Sequence, residues 1–140
     1  MRYKKYENGF TLIEVLIAII LVGLAIVSLV AANISFTKAN GAGADLSTAE
    51  FLLEQIRERT AMTSYYSLNG FNTTFSPPKG ANGEDLSNFA AFSQQVTVEN
   101  VNPADFEQVV GYPTDFVRVT VKVLLNSKEI SSASWIRAKY

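Results

Sequence analysis

The sequence predicts an α+β protein. A long apolar N-terminal helix continues or kinks into an amphipathic helix, which packs on a small antiparallel sheet. Three observations predict it. Residues 10–32 form an apolar run broken by one acid, Glu14. Ser47–Thr60 repeats its apolar residues at the helical period. Phe116–Leu124 alternates four valines with Arg118, Thr120 and Lys122, the pattern of a strand with one wet face.

The chain opens with three basic residues and one acid before Gly9, a bias that keeps this end in the cytoplasm. As a helix, the 23 residues from Phe10 to Ala32 rise roughly 35 Å, enough to cross a hydrocarbon core with some tilt. An ordinary secretory signal has a shorter apolar core and a small-residue cleavage site, for which Ala31-Ala32-Asn33 is only passable. Glu14 falls in the first turns of the run. An ionised carboxylate there costs about 2.5–3.5 kcal/mol and calls for a partner. Gly23, the one glycine in the run, costs about 1 kcal/mol against alanine, and there is no GxxxG pair.

Residues 33–46 turn polar, and Gly41 with Gly43 marks a linker or kink. Ser47-Thr48-Ala49-Glu50 matches a capping box and predicts a helix start. Ala49, Leu52, Leu53, Ile56 and Thr60 then share a face, with Glu54, Arg57 and Glu58 turned away. This is either the second half of one interrupted helix or a separate helix. From 63 to 88 the chain is rich in Ser, Asn, Gly and Pro, and reads as a long variable loop. Its Tyr65, Tyr66, Phe71 and Phe75 can pack down or be presented to a partner. Asn82, Glu84 and Asp85 offer oxygen ligands without the spacing of a calcium loop.

Gln94–Val101 alternates as a strand with Val96 and Val98 inward. Asp105–Gly111 is ambiguous between strand and loop. After Phe116–Leu124, Asn126-Ser127 makes a tight turn lacking the glycine that suits it best, and Ser131–Ala138 returns as the last strand. Residues 47–140 thus form one globular α+β domain.

With 140 residues the chain supports a single small domain besides the apolar segment. Cysteine and histidine are both absent. That excludes a disulfide framework, a thiolate or imidazole metal site, and nucleophilic catalysis by cysteine or a Ser-His-Asp triad. No catalytic residue, cofactor or metal ligand is assigned, and the expectation is a protein that is not an enzyme. Past residue 32, nine Lys/Arg face eleven Asp/Glu. No basic face shows in these counts, although folding can still gather the five cations from Arg118 to Lys139, so nucleic acid stays open as a partner.

The string Lys4-Lys5-Tyr6-Glu7-Asn8-Gly9-Phe10-Thr11-Leu12-Ile13-Glu14 resembles the processing and methylation motif of type IV pilin-like proteins. That family includes pilins, minor pilins and the pseudopilins of type II secretion. The resemblance implies that residues 1–9 are a leader. A prepilin peptidase/methyltransferase cuts between Gly9 and Phe10 and methylates the new terminus at Phe10. It implies that 10–32 is a transmembrane helix that becomes a filament core, and that Glu14 meets the charged terminus of a neighbouring subunit during assembly. A glycine before the cut fits independently, because a missing side chain lets a protease approach the backbone. The chain departs from many family members in lacking a proline in the apolar helix and a C-terminal disulfide.

The implied function is a structural subunit, of the minor kind, in a type IV pilus-like filament or secretion pseudopilus. Its partners would be membrane lipid before assembly, an inner-membrane assembly platform and other pilin or pseudopilin subunits. The chain would sit as a single-pass inner-membrane protein, N-terminus cytoplasmic and globular domain outside, before joining a surface or periplasmic filament. A membrane-tethered or filament-tip module binding an adhesion target, DNA or a substrate through loop 63–88 is the alternative.

Overall fold

The computed structural model describes residues 9–139, so the leader at 1–9 lies, but for Gly9, outside the described residues. The chain divides into two units, Met1–Gly41 and Ala42–Tyr140. One helix, α1 (Leu12–Met62), contributes to both.

In the first unit the helix begins at Leu12, and every described residue is exposed. The window of highest hydropathy, with a mean of 3.1, is long and apolar enough to cross a membrane by length and composition. Its few hydroxyls are satisfied within the helix: Ser28 and Ser35 donate to the carbonyls of Leu24 and Ala31, at 2.8 and 3.1 Å.

Helix is assigned throughout residues 33–46, where the composition pointed to a linker or kink, and no new helix starts at Ser47. Gly41 and Gly43 each cost about 1 kcal/mol relative to alanine. Ala39, Ala42 and Ala44 are strong formers around them, and extending an existing helix gains one hydrogen bond per residue fixed. Capping at Ser47 would have broken that ladder. Thr48 instead donates to the Ala44 carbonyl at 2.9 Å, as a residue of the helix interior does.

In the second unit the strands β1 (Thr73–Phe75), β2 (Phe92–Asn102), β4 (Phe116–Leu125) and β5 (Lys128–Ala138) form an antiparallel sheet in the order β1-β2-β4-β5. The ambiguous segment is a strand, β3 (Asp105–Val109), which pairs irregularly with the end of β2 and is exposed along its length. The inward valines of β4 (Val117, Val119, Val121 and Val123) pack with Val96 and Val98 of β2. Ala49, Leu52, Leu53 and Ile56 join them in one core. The helical face read from the sequence is therefore the buried face.

Loop 63–88 is more ordered than its composition suggests. A 3-10 helix spans Tyr65–Phe71, β1 follows, and Lys79 and Asp85 form a bridge closed by an ion pair of 2.7 Å. Leu68 and Phe71 are buried in the core, and Tyr65 and Phe75 pack against it. Only Tyr66, 75% exposed, is presented outward among the four aromatics.

Gln94 fixes this loop. Fully buried, it accepts from the Lys79 amide at 2.7 Å and donates to the carbonyls of Leu52 and Lys79 at 2.8 and 3.1 Å. Gln55 takes the Ala81 amide at 3.0 Å. The guanidinium of Arg59 lies 4.9 and 5.3 Å from the ring centres of Phe71 and Phe75.

The C-terminal strand is held without a disulfide by ten residue pairs between β4 and β5. Added to these are a bond from Arg137 to the Thr63 carbonyl, one from the Tyr65 hydroxyl to the Thr114 carbonyl, and one from the Lys139 amide to the Asp115 carbonyl. The hairpin turns at Asn126 and Ser127, both left-handed with φ of 49° and 68°.

Candidate functional site

The start of α1 is built by residues 11–14. Thr11 stands just before the first helical residue. Its backbone amide donates to Glu14 Oε2 at 2.8 Å, and the Glu14 amide donates back to Thr11 Oγ1 at 3.3 Å. This reciprocal pair is a capping box, which satisfies two of the amides that a helix start leaves without partners. The Thr11 hydroxyl adds a second bond to Oε2 at 2.8 Å. The Thr-x-x-Glu signature was present in the sequence at Thr11–Glu14, but the same signature at Ser47–Glu50 drew the assignment.

The box does two things. It starts the apolar helix at a defined residue, and it holds the carboxylate of Glu14 at one place beside the exposed Phe10. The acid stands among Phe10, Val15, Ala18, Ile19 and Val22, which line a shallow, mainly apolar concavity of about 440 Å³.

Gly9 precedes the box. A Cβ built there meets nothing within 4 Å, so the described fold places no demand for glycine at this position.

The other candidate features resolve differently. Asp85 is occupied by Lys79, and the Glu84 carboxylate lies where a Cβ of Gly80 would stand. Among the described residues there is no group of three or more Asp, Glu, His or Cys able to hold a metal ion. The five cations from Arg118 to Lys139 do not form one unopposed face. Arg118, Lys122 and Lys139 pair with Glu107, Glu129 and Asp115 at 3.7, 3.0 and 3.5 Å. The aromatics of loop 63–88 are used mainly in the core. Sequence reasoning missed Gln94 and Arg59 as the residues that tie this loop down. The alternation of β2 continues back from Val96 to Gln94, a signal that the glutamine points inward.

Residues 4–32 match the family model described as the prokaryotic N-terminal methylation motif, and residues 33–140 lie outside that match. No curated protein and no solved structure matched the chain significantly. The motif implies processing by a prepilin peptidase and assembly with other pilin subunits. With a long apolar helix followed by a five-stranded antiparallel sheet, the chain has the α+β architecture of the pilin-like fold. Its N-terminal segment is that of a type IV pilin-like precursor.

Proposed function

We propose that the chain is a structural, non-catalytic subunit, of the minor kind, in a type IV pilus-like filament or type II secretion pseudopilus. The observation that carries the reading is the helix of residues 12–32. It is apolar on all sides and wholly exposed, and its single acid is pinned in its first turn by Thr11. A helix of that kind is stable only among lipid chains or other apolar helices. In the membrane, lipid surrounds it. In a filament, neighbouring helices replace lipid, and the amino terminus released by a cut between Gly9 and Phe10 supplies the cation that Glu14 lacks. Two charges that are each unfavourable in apolar surroundings become tolerable together, and their pairing sets the register between helices. The globular domain is carried outside the cytoplasm.

The packing of loop 63–88 supports this structural reading over a binding module, since three of its four aromatics serve the core. The experiment is incorporation of Glu14→Ala into filaments in the native assembly system. Exclusion of the variant, with its membrane level unchanged, is expected. Incorporation at the wild-type level would remove the role assigned to Glu14.

A further inference from the structure

The geometry points to a sugar-binding site beside the end of α1, built from Tyr66, Asn69, Asn100 and Asp115 for one residue of a neutral carbohydrate. The site lies wholly within the second unit. It adds a ligand to the subunit proposed above, and an isolated chain binds that ligand as an assembled one does.

Two adjoining hollows of about 470 and 410 Å³ meet here, and Tyr65, Tyr66, Asp115 and Lys139 line both. Sites for small molecules span about 300–1,000 Å³. The segment that carries Asp115 is held from several sides. The Tyr65 hydroxyl donates to the Thr114 carbonyl, and the Lys139 amide donates to the Asp115 carbonyl at 2.8 Å. The Thr114 amide donates to Asn100 Oδ1 at 3.4 Å. The Thr114 hydroxyl lies 3.0 and 2.7 Å from the carbonyls of Val101 in β2 and Phe116 in β4. Asp115 is therefore positioned by the fold itself, and little ordering is left to be done when a ligand binds.

The polar groups around the hollows are not used up by the fold. The Asn69 carboxamide is exposed and makes no hydrogen bond within the described residues. Asn100 spends its oxygen on Thr114 and leaves its amide group free among the described residues. Asp115 is largely exposed and keeps room for further donors beside Lys139, which stands 3.5 Å from its Oδ1. Tyr66 is the aromatic that loop 63–88 presents outward. Tyr65 meets its ring edge to face at 5.9 Å, and Lys139 Nζ lies 5.3 Å from its centre. The ring is thus propped in place while most of it stays in solvent.

These groups match the chemistry of a sugar. A pyranose ring carries C–H bonds on its faces and hydroxyls around its rim, each able to donate and to accept. Tyr66 offers a flat apolar face with a polar tip. A carboxamide sets a donor beside an acceptor, and a carboxylate provides two acceptors, so neighbouring hydroxyls can be held in pairs. Tyrosine and asparagine also give contact area and adaptable hydrogen bonding with little rotational freedom to lose. An anionic ligand is disfavoured because the cations at the site are engaged, Lys139 with Asp115 and Arg137 with the Thr63 carbonyl. A peptide is disfavoured as well, since its anchoring side chains need a desolvated pocket, whereas these hollows are shallow and carry polar walls.

The test uses the full-length chain in a detergent whose headgroup is not a sugar. It is applied to immobilised neutral oligosaccharides of hexoses and N-acetylhexosamines, to sulfated and sialylated oligosaccharides, and to single-stranded DNA. Binding to a neutral oligosaccharide is expected, weakened about tenfold by Tyr66→Ala and by Asn69→Ala. Tyr66→Phe should keep most of the binding. Tyr112→Ala, at another exposed tyrosine that does not line the hollows, should keep all of it. Both lining side chains are exposed, so the variants should melt as the wild type does when followed by Trp135 fluorescence. Failure of every neutral oligosaccharide to bind overturns the proposal, as does binding confined to DNA or to the anionic oligosaccharides. Sugar binding that Tyr66→Ala and Asn69→Ala leave unchanged also overturns it, because the ligand would then lie elsewhere.

Discussion

Gln94→Met tests how the loop between α1 and the sheet is held. The substitution keeps the length and much of the volume of the side chain but removes its donor and acceptor. The Leu52 carbonyl, inside α1, keeps its helical partner. The Lys79 amide and carbonyl lose theirs, at 2.7 and 3.1 Å. An amide left without a partner costs about 1–3 kcal/mol and each lost bond about 1 kcal/mol, which together amount to roughly 3 kcal/mol. For a domain of this size that is a fall of roughly 10–20 °C in Tm. Trp135, the one tryptophan, packs against the core and reports unfolding of the detergent-solubilised full-length chain by its fluorescence. Gln95→Met, one residue along on the exposed face, is the control and should stay within about 0.5 kcal/mol. If Gln94→Met also unfolds within about 1 kcal/mol of wild type, the buried amide does not anchor the loop.

Arg59→Met removes the guanidinium lying over Phe71 and Phe75 and should destabilise by about 1–2 kcal/mol, with faster proteolytic cleavage between residues 76 and 86. An unchanged cleavage rate would contradict the clamp. Ser127→Gly relieves a left-handed residue in the β4–β5 turn and should stabilise by about 1 kcal/mol in the same fluorescence melt. Burial first, and then the nearby Asp115, raises the Tyr65 phenol above its ordinary value. Because the folded value is the higher one, the stability linked to this proton is complete below the ordinary tyrosine range and is lost as pH rises through the raised value. Alkaline titration of the wild type should show this loss and Tyr65→Phe should not, although the variant is less stable at neutral pH for want of the bond to Thr114.

Much of the fold was legible because the signals were periodic. The alternation of Phe116–Leu124 and the helical spacing of Ala49, Leu52, Leu53 and Ile56 both mark buried faces, and the structure buries those residues. Whether the helix passes through Gly41 and Gly43 stayed open in the sequence, because two local propensities stand there against a cooperative ladder; helix is assigned at both residues. The order of the segment 63–88 was not legible. Its order comes from Gln94, Gln55 and Arg59, which lie outside the loop and reach it only once the chain has folded. At the N-terminus, the residue types of the motif were plain, while the capping bond between Thr11 and Glu14 needed the helix start to be placed.

The central claim is that Gly9–Phe10 is a processing site which releases a charged terminus for Glu14 to receive. Intact-mass and N-terminal peptide mass spectrometry of the chain recovered from its native assembly system tests it most directly. A chain beginning at Phe10 with an N-methylated amino group is the predicted result. A chain that still begins at Met1, or one cut elsewhere in the apolar helix, would contradict it.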